Sequence, residues 1–136
     1  MRGILLDTNM YVAFKRGDED VVEMLRLADD IAISATVLGE LLAGFAGGRR
    51  EGTNREELAA FLDSPRVRIV DVDADTADCY ARIYTLLRHK GKPIPTNDLW
   101  IAASALQHGL MLVSRDEHFR AIEGLAIASH PNQLVP

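Results

Sequence analysis

Four short segments of this chain are apolar at nearly every position instead of every second one: residues 3–7 (Gly-Ile-Leu-Leu-Asp), 31–34 (Ile-Ala-Ile-Ser), 67–70 (Val-Arg-Ile-Val) and 111–113 (Met-Leu-Val). A strand with one wet face alternates, whereas a strand without alternation is covered on both faces. Each run is too short for a helix, and each is followed by residues with helical periodicity. The order strand, helices, strand, helices restricts the chain to an α/β fold with a central parallel sheet lying between helices. A weaker fifth strand is expected at 125–127.

Size and charge narrow the class. A chain of 136 residues predicts one domain over 1–136. A hydrophobic share of 48% excludes a disordered chain. No run approaches the ~18 apolar residues of a membrane span. The apolar stretch before Asp7 is too short for a secretory leader, which predicts a cytoplasmic protein with no membrane partner. The single cysteine, Cys79, excludes an internal disulfide and a multi-cysteine metal site. The formal net charge of −5 is unusual for a nucleic-acid binder. Acids gathered around a divalent cation would change that local field, so charge alone does not decide the matter.

Between the strands, residues 8–15 read as a short helix. Asp18 is the expected N-cap of a helix to about Ala28, with Val21, Val22, Leu25 and Leu27 turned inward. The next helix starts at 35 or 36 and ends at Ala46 before Gly47-Gly48. Residues 47–53 read as a flexible, partly basic loop. Asn54, with Glu57 three residues on, resembles a capping box that opens a helix to Leu62. Asp73 caps a long helix with Ala77, Tyr80, Ile83, Tyr84 and Leu87 as its apolar positions, closed by Arg88-His89-Lys90-Gly91. Lys92 to Pro95 is extended, and Thr96 caps a helix to about Gln107. Asp116 to Ile122 forms a last short helix.

Four acids stand where such a fold concentrates its chemistry. Asp7 ends the first strand, and Asp116 follows the fourth. Either could be a simple N-cap. Asp98 is harder to dismiss, because Thr96 is available as a cap. Helical spacing also puts Asp98 on the stripe of Ile101, Ala102 and Ala105, where an ionised acid is costly. Glu40 shares a helix face with Thr36, Ala43 and Gly47, small residues around one acid, as if something approaches closely. In a parallel sheet, ligands bind beyond the strand C-termini where strand order reverses. If strands one and four adjoin there, Asp7, Asp98 and Asp116 converge and Glu40 reaches over. Two carboxylates ~5 Å apart at an effective dielectric of ~20 repel by roughly 3 kcal/mol, and a hard dication removes that cost. An all-oxygen set suits Mg²⁺ or Mn²⁺ over Zn²⁺.

Leu6-Asp-Thr-Asn9, Val37-Leu-Gly-Glu40-Leu-Leu, Pro95-Thr-Asn-Asp98-Leu-Trp-Ile-Ala-Ala and Val113-Ser-Arg-Asp116-Glu-His-Phe resemble the successive motifs of the PIN-domain family. The resemblance is closest to the VapC-type ribonuclease toxins, and it covers essentially the whole chain. It implies a three-layer α/β/α sandwich with a central parallel sheet and an acidic pocket for Mg²⁺ or Mn²⁺. It implies endonucleolytic cleavage of an RNA substrate, a homodimer, and a cognate antitoxin that reaches the pocket. Asp7, Glu40, Asp98 and Asp116 match the family's four acids, with Thr8 and Ser114 as supporting hydroxyls.

The expected mechanism is metal-assisted phosphodiester hydrolysis. Asp7, Asp98 and Asp116 bind the metal, and Glu40 completes the set or orients the attacking water. His118 reads as a short-helix residue packed beside Phe119, without a catalytic role. Trp100 and Tyr84 read as core. Lys15, Arg16, Arg49, Arg50, Arg88, Lys90 and Lys92 are the candidate contacts to substrate backbone. A haloacid-dehalogenase-like phosphatase would need an acid at position 9, which is Asn9. A receiver-type domain would need a lysine at a late strand end. A non-catalytic PIN-like interaction module is the remaining alternative.

Overall fold

A computed structural model describes residues 3–135. Five parallel strands form one sheet: β1 (Ile4–Leu6), β2 (Ile31–Ser34), β3 (Val67–Val70), β4 (Met111–Val113) and β5 (Ile127–Ala128). Their spatial order is β3-β2-β1-β4-β5. Six helices connect them: α1 (Thr8–Lys15), α2 (Glu19–Leu27), α3 (Ala35–Ala46), α4 (Glu51–Leu62), α5 (Ala74–Lys90) and α6 (Thr96–His108). Short 3₁₀ turns cover Glu117–Ala121 and Pro131–Gln133. The chain steps outward from β1 to β3 and then returns to β4 on the other side of β1. Right-handed crossovers therefore put α1–α4 on one face and α5 and α6 on the other.

The core follows from the lack of alternation. Every residue of β1 and β2 is buried. β3 departs from the expectation of full burial. As an edge strand it leaves Arg68 and Ile69 exposed, and Arg68 pairs with Asp30 at 3.1 Å. α2 buries Val21, Met24 and Leu25 and turns Val22 out. α5 buries Thr76, Cys79, Ile83 and Leu87. That stripe leaves Ala77 and Tyr84, both expected inside, on the exposed side. Tyr84 stacks at 6.3 Å on Tyr80, which stacks at 4.2 Å on Trp100, so these rings line the outside of the α5–α6 pair.

The helix caps confirm some expectations and correct others. Asp18 and Asp73 cap α2 and α5, the latter in a reciprocal box with Thr76. Gly91 and Gly109 close α5 and α6 at φ 67° and 62°, in the left-handed region that glycine enters most cheaply. α4 instead begins at Glu51, with Arg50 at the cap position and no side-chain cap bond. Asn54 lies inside the helix, and the supposed loop 47–53 shrinks by half. Thr96 is the first residue of α6 and not its cap. Pro95 precedes it, with its fixed φ suited to helix entry.

Candidate active site

Strand order reverses between β1 and β4, and the backbone ties the two together there. Leu6 pairs with Val113, and the Asp7 N–H donates to the Val113 carbonyl at 3.1 Å. Asp7 and Ser114, each one residue past its strand, thus stand side by side. The Ser114 hydroxyl donates to Asp7 Oδ2 at 2.7 Å, and the Thr8 N–H donates to Asp7 Oδ1 at 2.9 Å. Asp7 is only 6% exposed. Burial pushes its carboxyl above the ordinary carboxylate range; Ser114 and Thr8 pull the other way, and the charges of Asp98 and Asp116 push it up again.

Ser114 serves two acids. Its oxygen also accepts the Asp116 N–H at 3.0 Å, fixing the loop that carries Asp116. Asp116 caps the following 3₁₀ turn by accepting the His118 N–H at 2.9 Å. The capping and chemical readings of Asp7 and Asp116 are therefore compatible, since each has oxygen capacity for both.

Asp98 lies in the first turn of α6, where the helix dipole favours a negative charge. Burial raises its carboxyl above the ordinary range; His118 lowers it, while the charges of Asp116 and Glu40 raise it. His118 Nδ1 sits 2.8 Å from Asp98 Oδ2 and 3.2 Å from Asp116 Oδ1. Both neighbours are acceptors when ionised, so Nδ1 carries the proton. Asp98 first, and Asp116 with it, hold the imidazole above its ordinary value. Ligand atoms of Asp98, Asp116 and His118 lie within 4.8 Å of one another, close enough to share one metal ion.

Glu40 approaches from α3. Its Oε1 accepts the Thr8 hydroxyl at 2.6 Å, and its Oε2 accepts the Asn97 amide at 3.3 Å. Thr8 follows Asp7 and Asn97 precedes Asp98, so Glu40 is bound to the neighbours of two other acids. The four sequence-predicted acids come from four separate parts of the chain and interact at one end of the sheet. A donor set of carboxylate oxygens, whose like charges press two members upward, fits a hard divalent cation.

Two participants were missed or misjudged from sequence. His118 does not pack beside Phe119. Phe119 is fully buried, while His118, its neighbour on the turn, points out to Asp98 and Asp116. Its position two residues after Asp116 was the available signal. Asn97 was not singled out, although it adjoins Asp98.

Residues 4–125 match the PIN domain. The chain belongs to the PIN-domain family. Ribonuclease VapC2 of Rickettsia felis is 34% identical over 128 residues, covering 90% of this chain and 94% of that protein. The crystal structure of VapBC2 from Rickettsia felis bound to a DNA fragment from their promoter contains a chain that superposes with a TM-score of 0.84. It is 32% identical and covers 93% of this chain and 97% of that one. A member of the VapBC family of toxin–antitoxin systems, VapBC-5 from Mycobacterium tuberculosis, contains a chain with a TM-score of 0.72 and 26% identity, covering 94% and 97%. The PIN-like expectation for the fold holds along nearly the full length. Among the described residues no helix is long and apolar enough to cross a membrane.

Proposed function

We propose that this chain, acting as one PIN-like unit over 1–136 in the cytoplasm, is an endoribonuclease dependent on Mg²⁺ or Mn²⁺ and the toxin of a type II toxin–antitoxin pair. The observation that carries the reading is the interaction of Asp7, Glu40, Asp98 and Asp116 at the sheet's switch point, in a chain similar throughout to named ribonucleases. Asp7, Asp98, Asp116 and Glu40 would hold the metal. When bound, a dication polarises a scissile phosphate and lowers the pKa of an attacking water.

The chain's own residues do the positioning. Ser114 and the Thr8 N–H hold the Asp7 carboxylate at both oxygens. Thr8 and Asn97 leave Glu40 oriented by two donors. When protonated, a form that both acids favour, His118 places a positive charge beside Asp98 and Asp116 that offsets their repulsion. A cognate antitoxin is the proposed protein partner, by analogy with the toxin–antitoxin complexes this fold matches. A homodimer is proposed through the outer face of α5, where Tyr84 and Leu86 are exposed.

The test is cleavage of total RNA by purified protein with Mg²⁺ or Mn²⁺, with the sites mapped. Asp7→Asn is expected to remain folded and to cut nothing. Cleavage by that variant at the wild-type rate would refute the assignment. Antitoxin binding without any nuclease activity would favour a non-catalytic interaction module.

A further inference from the structure

The acids leave a second concave feature unexplained. A cleft of about 510 Å³ opens between α1, the end of α3 and the start of α4, within the size range of small-ligand sites. Its charge opposes that of the protein. Lys15, Arg16 and Arg50 line it against one carboxylate, Glu57, in a chain of net charge −5. Glu57 is engaged with Lys15 at 2.8 Å. Arg16 and Arg50 form no ion pair of 4.0 Å or less among the described residues.

The walls are as informative as the charges. Phe45 offers a half-buried ring, and Asn54 brings a side-chain amide. Tyr11 also lines the cleft. It is 2% exposed, and its hydroxyl is buried without a hydrogen-bond partner. A buried donor with no partner in the protein calls for one from outside.

Two helices lead from the acids to this cleft. On α1, Tyr11, Val12 and Lys15 follow Thr8 at spacings of three, four and seven, on one helix face. At 1.5 Å per residue, Lys15 stands about 10 Å beyond Thr8. On α3, Phe45 follows Glu40 by little more than a turn, and Gly44 between them is exposed, with open space where a side chain would be.

We propose that this cleft is a subsite for the RNA substrate, holding one unstacked nucleotide beyond the two that flank the scissile bond. Arg16 and Arg50 take its phosphate, Phe45 stacks on its base, and Tyr11 and Asn54 read the base edge. The inference rests on the ribonuclease reading above. Splayed single-stranded bases are recognised by this mixture of aromatic, amide and guanidinium groups. A peptide partner is the competing occupant, and the three-to-one excess of cationic side chains over the single carboxylate, Glu57, favours phosphate.

The experiment compares wild type with Arg16→Ala/Arg50→Ala and Tyr11→Phe, in Mg²⁺ or Mn²⁺. The substrates are a mixed-sequence single-stranded oligonucleotide and a dinucleotide too short to reach the cleft. The double variant is expected to lose roughly tenfold or more in kcat/KM on the oligonucleotide, one good charged contact's worth. The slope of log affinity against log salt should become shallower by about 1.4, two cations at ~0.7 each. Both variants should match wild type on the dinucleotide. Tyr11→Phe should keep its Tm, because it deletes only an unpartnered hydroxyl, and should relax the base preference at the nucleotide seated in the cleft. Unchanged rates and preferences on the oligonucleotide would overturn the proposal. Equal losses on both substrates would do so too, since they indicate a structural effect. Weakened antitoxin binding with cleavage intact would assign the cleft to the protein partner instead. A wild type that cuts no RNA would defeat the ribonuclease reading separately; fluorescence anisotropy with the same oligonucleotide and variants would still decide the cleft.

Discussion

Ser114→Ala tests how the buried acid is held. Ser114 is 1% exposed, donates to Asp7 Oδ2 and accepts from the Asp116 N–H. Alanine removes both bonds and adds nothing. A hydrogen bond to a charged group contributes ~1.5–3 kcal/mol, and an orphaned buried donor costs ~1–3 kcal/mol. Asp116 is only half-buried, so water takes part of that second share, and about 2–4 kcal/mol is expected in all. At ~2.1 cal/mol/K per residue the unfolding entropy is about 0.29 kcal/mol/K, which gives a fall in Tm of roughly 7–14 °C.

The pH dependence makes this prediction specific. Burial already holds Asp7 above its ordinary value, and Ser114 is the strongest influence in the other direction. Without Ser114 the carboxyl rises further. A carboxyl raised in the folded state binds its proton more tightly there than in the unfolded chain. Its cost is absent below the unfolded value and is fully present above the folded one. The deficit of the variant is therefore largest at neutral pH and shrinks as pH falls through the titration of Asp7. Urea melts from neutral to acid pH, compared at constant m, measure it directly. A deficit that does not change with pH would show that Asp7 carries no charge for Ser114 to stabilise, and the reasoning would fail.

Four further outcomes are expected. Asp98→Asn removes a carboxylate raised by burial and by the charges of Asp116 and Glu40, so it should stabilise the metal-free protein at neutral pH, give no gain below the ordinary carboxylate range, and abolish RNA cleavage. Lower stability at neutral pH in urea melts would contradict this. The same variant should return the His118 ring, followed by NMR titration, toward its ordinary value, because Asp98 is the main cause of its rise; an unmoved titration would remove Asp98 as its partner. Thr8→Val deprives Glu40 of its 2.6 Å donor and should cut cleavage by roughly 10–100-fold, as loss of a partner orienting a ligand does. Gly109→Ala forces a side chain into φ 62° and should cost about 1–2 kcal/mol, or ~3–7 °C in Tm, with cleavage unchanged.

What the sequence disclosed depended on how local each signal was. Strands β1, β2 and β4 lack alternation because both faces are covered, and that pattern is written in consecutive residues. Asp73 was visible as a cap because it directly precedes a run with helical spacing, whereas its reciprocal bond with Thr76 was not singled out. Asn54 and Glu57 have the same spacing but lie inside α4, which has already begun at Glu51. On α5 the expected Ile83 and Leu87 do face inward, but Thr76 and Cys79 complete their stripe in place of Ala77 and Tyr84. No local pattern decides between Cys79 and Tyr84 as the third member of that stripe. Asp7, Asp98 and Asp116 were legible because each sits just past a strand or in the first turn of a helix, and Glu40, in the middle of α3, because small residues share its face. Their supporting contacts, Asn97 to Glu40 and His118 to Asp98, span 57 and 20 residues, and only the packed chain reveals them.

His118 shows why such a site is tolerable before any ion arrives. The carboxylates of Asp98 and Asp116 are brought together by α6 and by the loop after β4. Their repulsion would weigh heavily in a domain whose total stability is of order 5–15 kcal/mol. One imidazolium between them offsets part of it at low expense, because His118 is exposed and needs little desolvation. A hard dication carries twice that charge, so it should displace the imidazolium's role without rearranging the acids. Metal binding is thus expected to lower the His118 titration and to stabilise the fold together, with the two effects saturating at the same concentration. Mn²⁺ or Mg²⁺ titrations followed by melting and by histidine NMR would show whether they coincide, and separate midpoints would break the link between charge balance and metal capture.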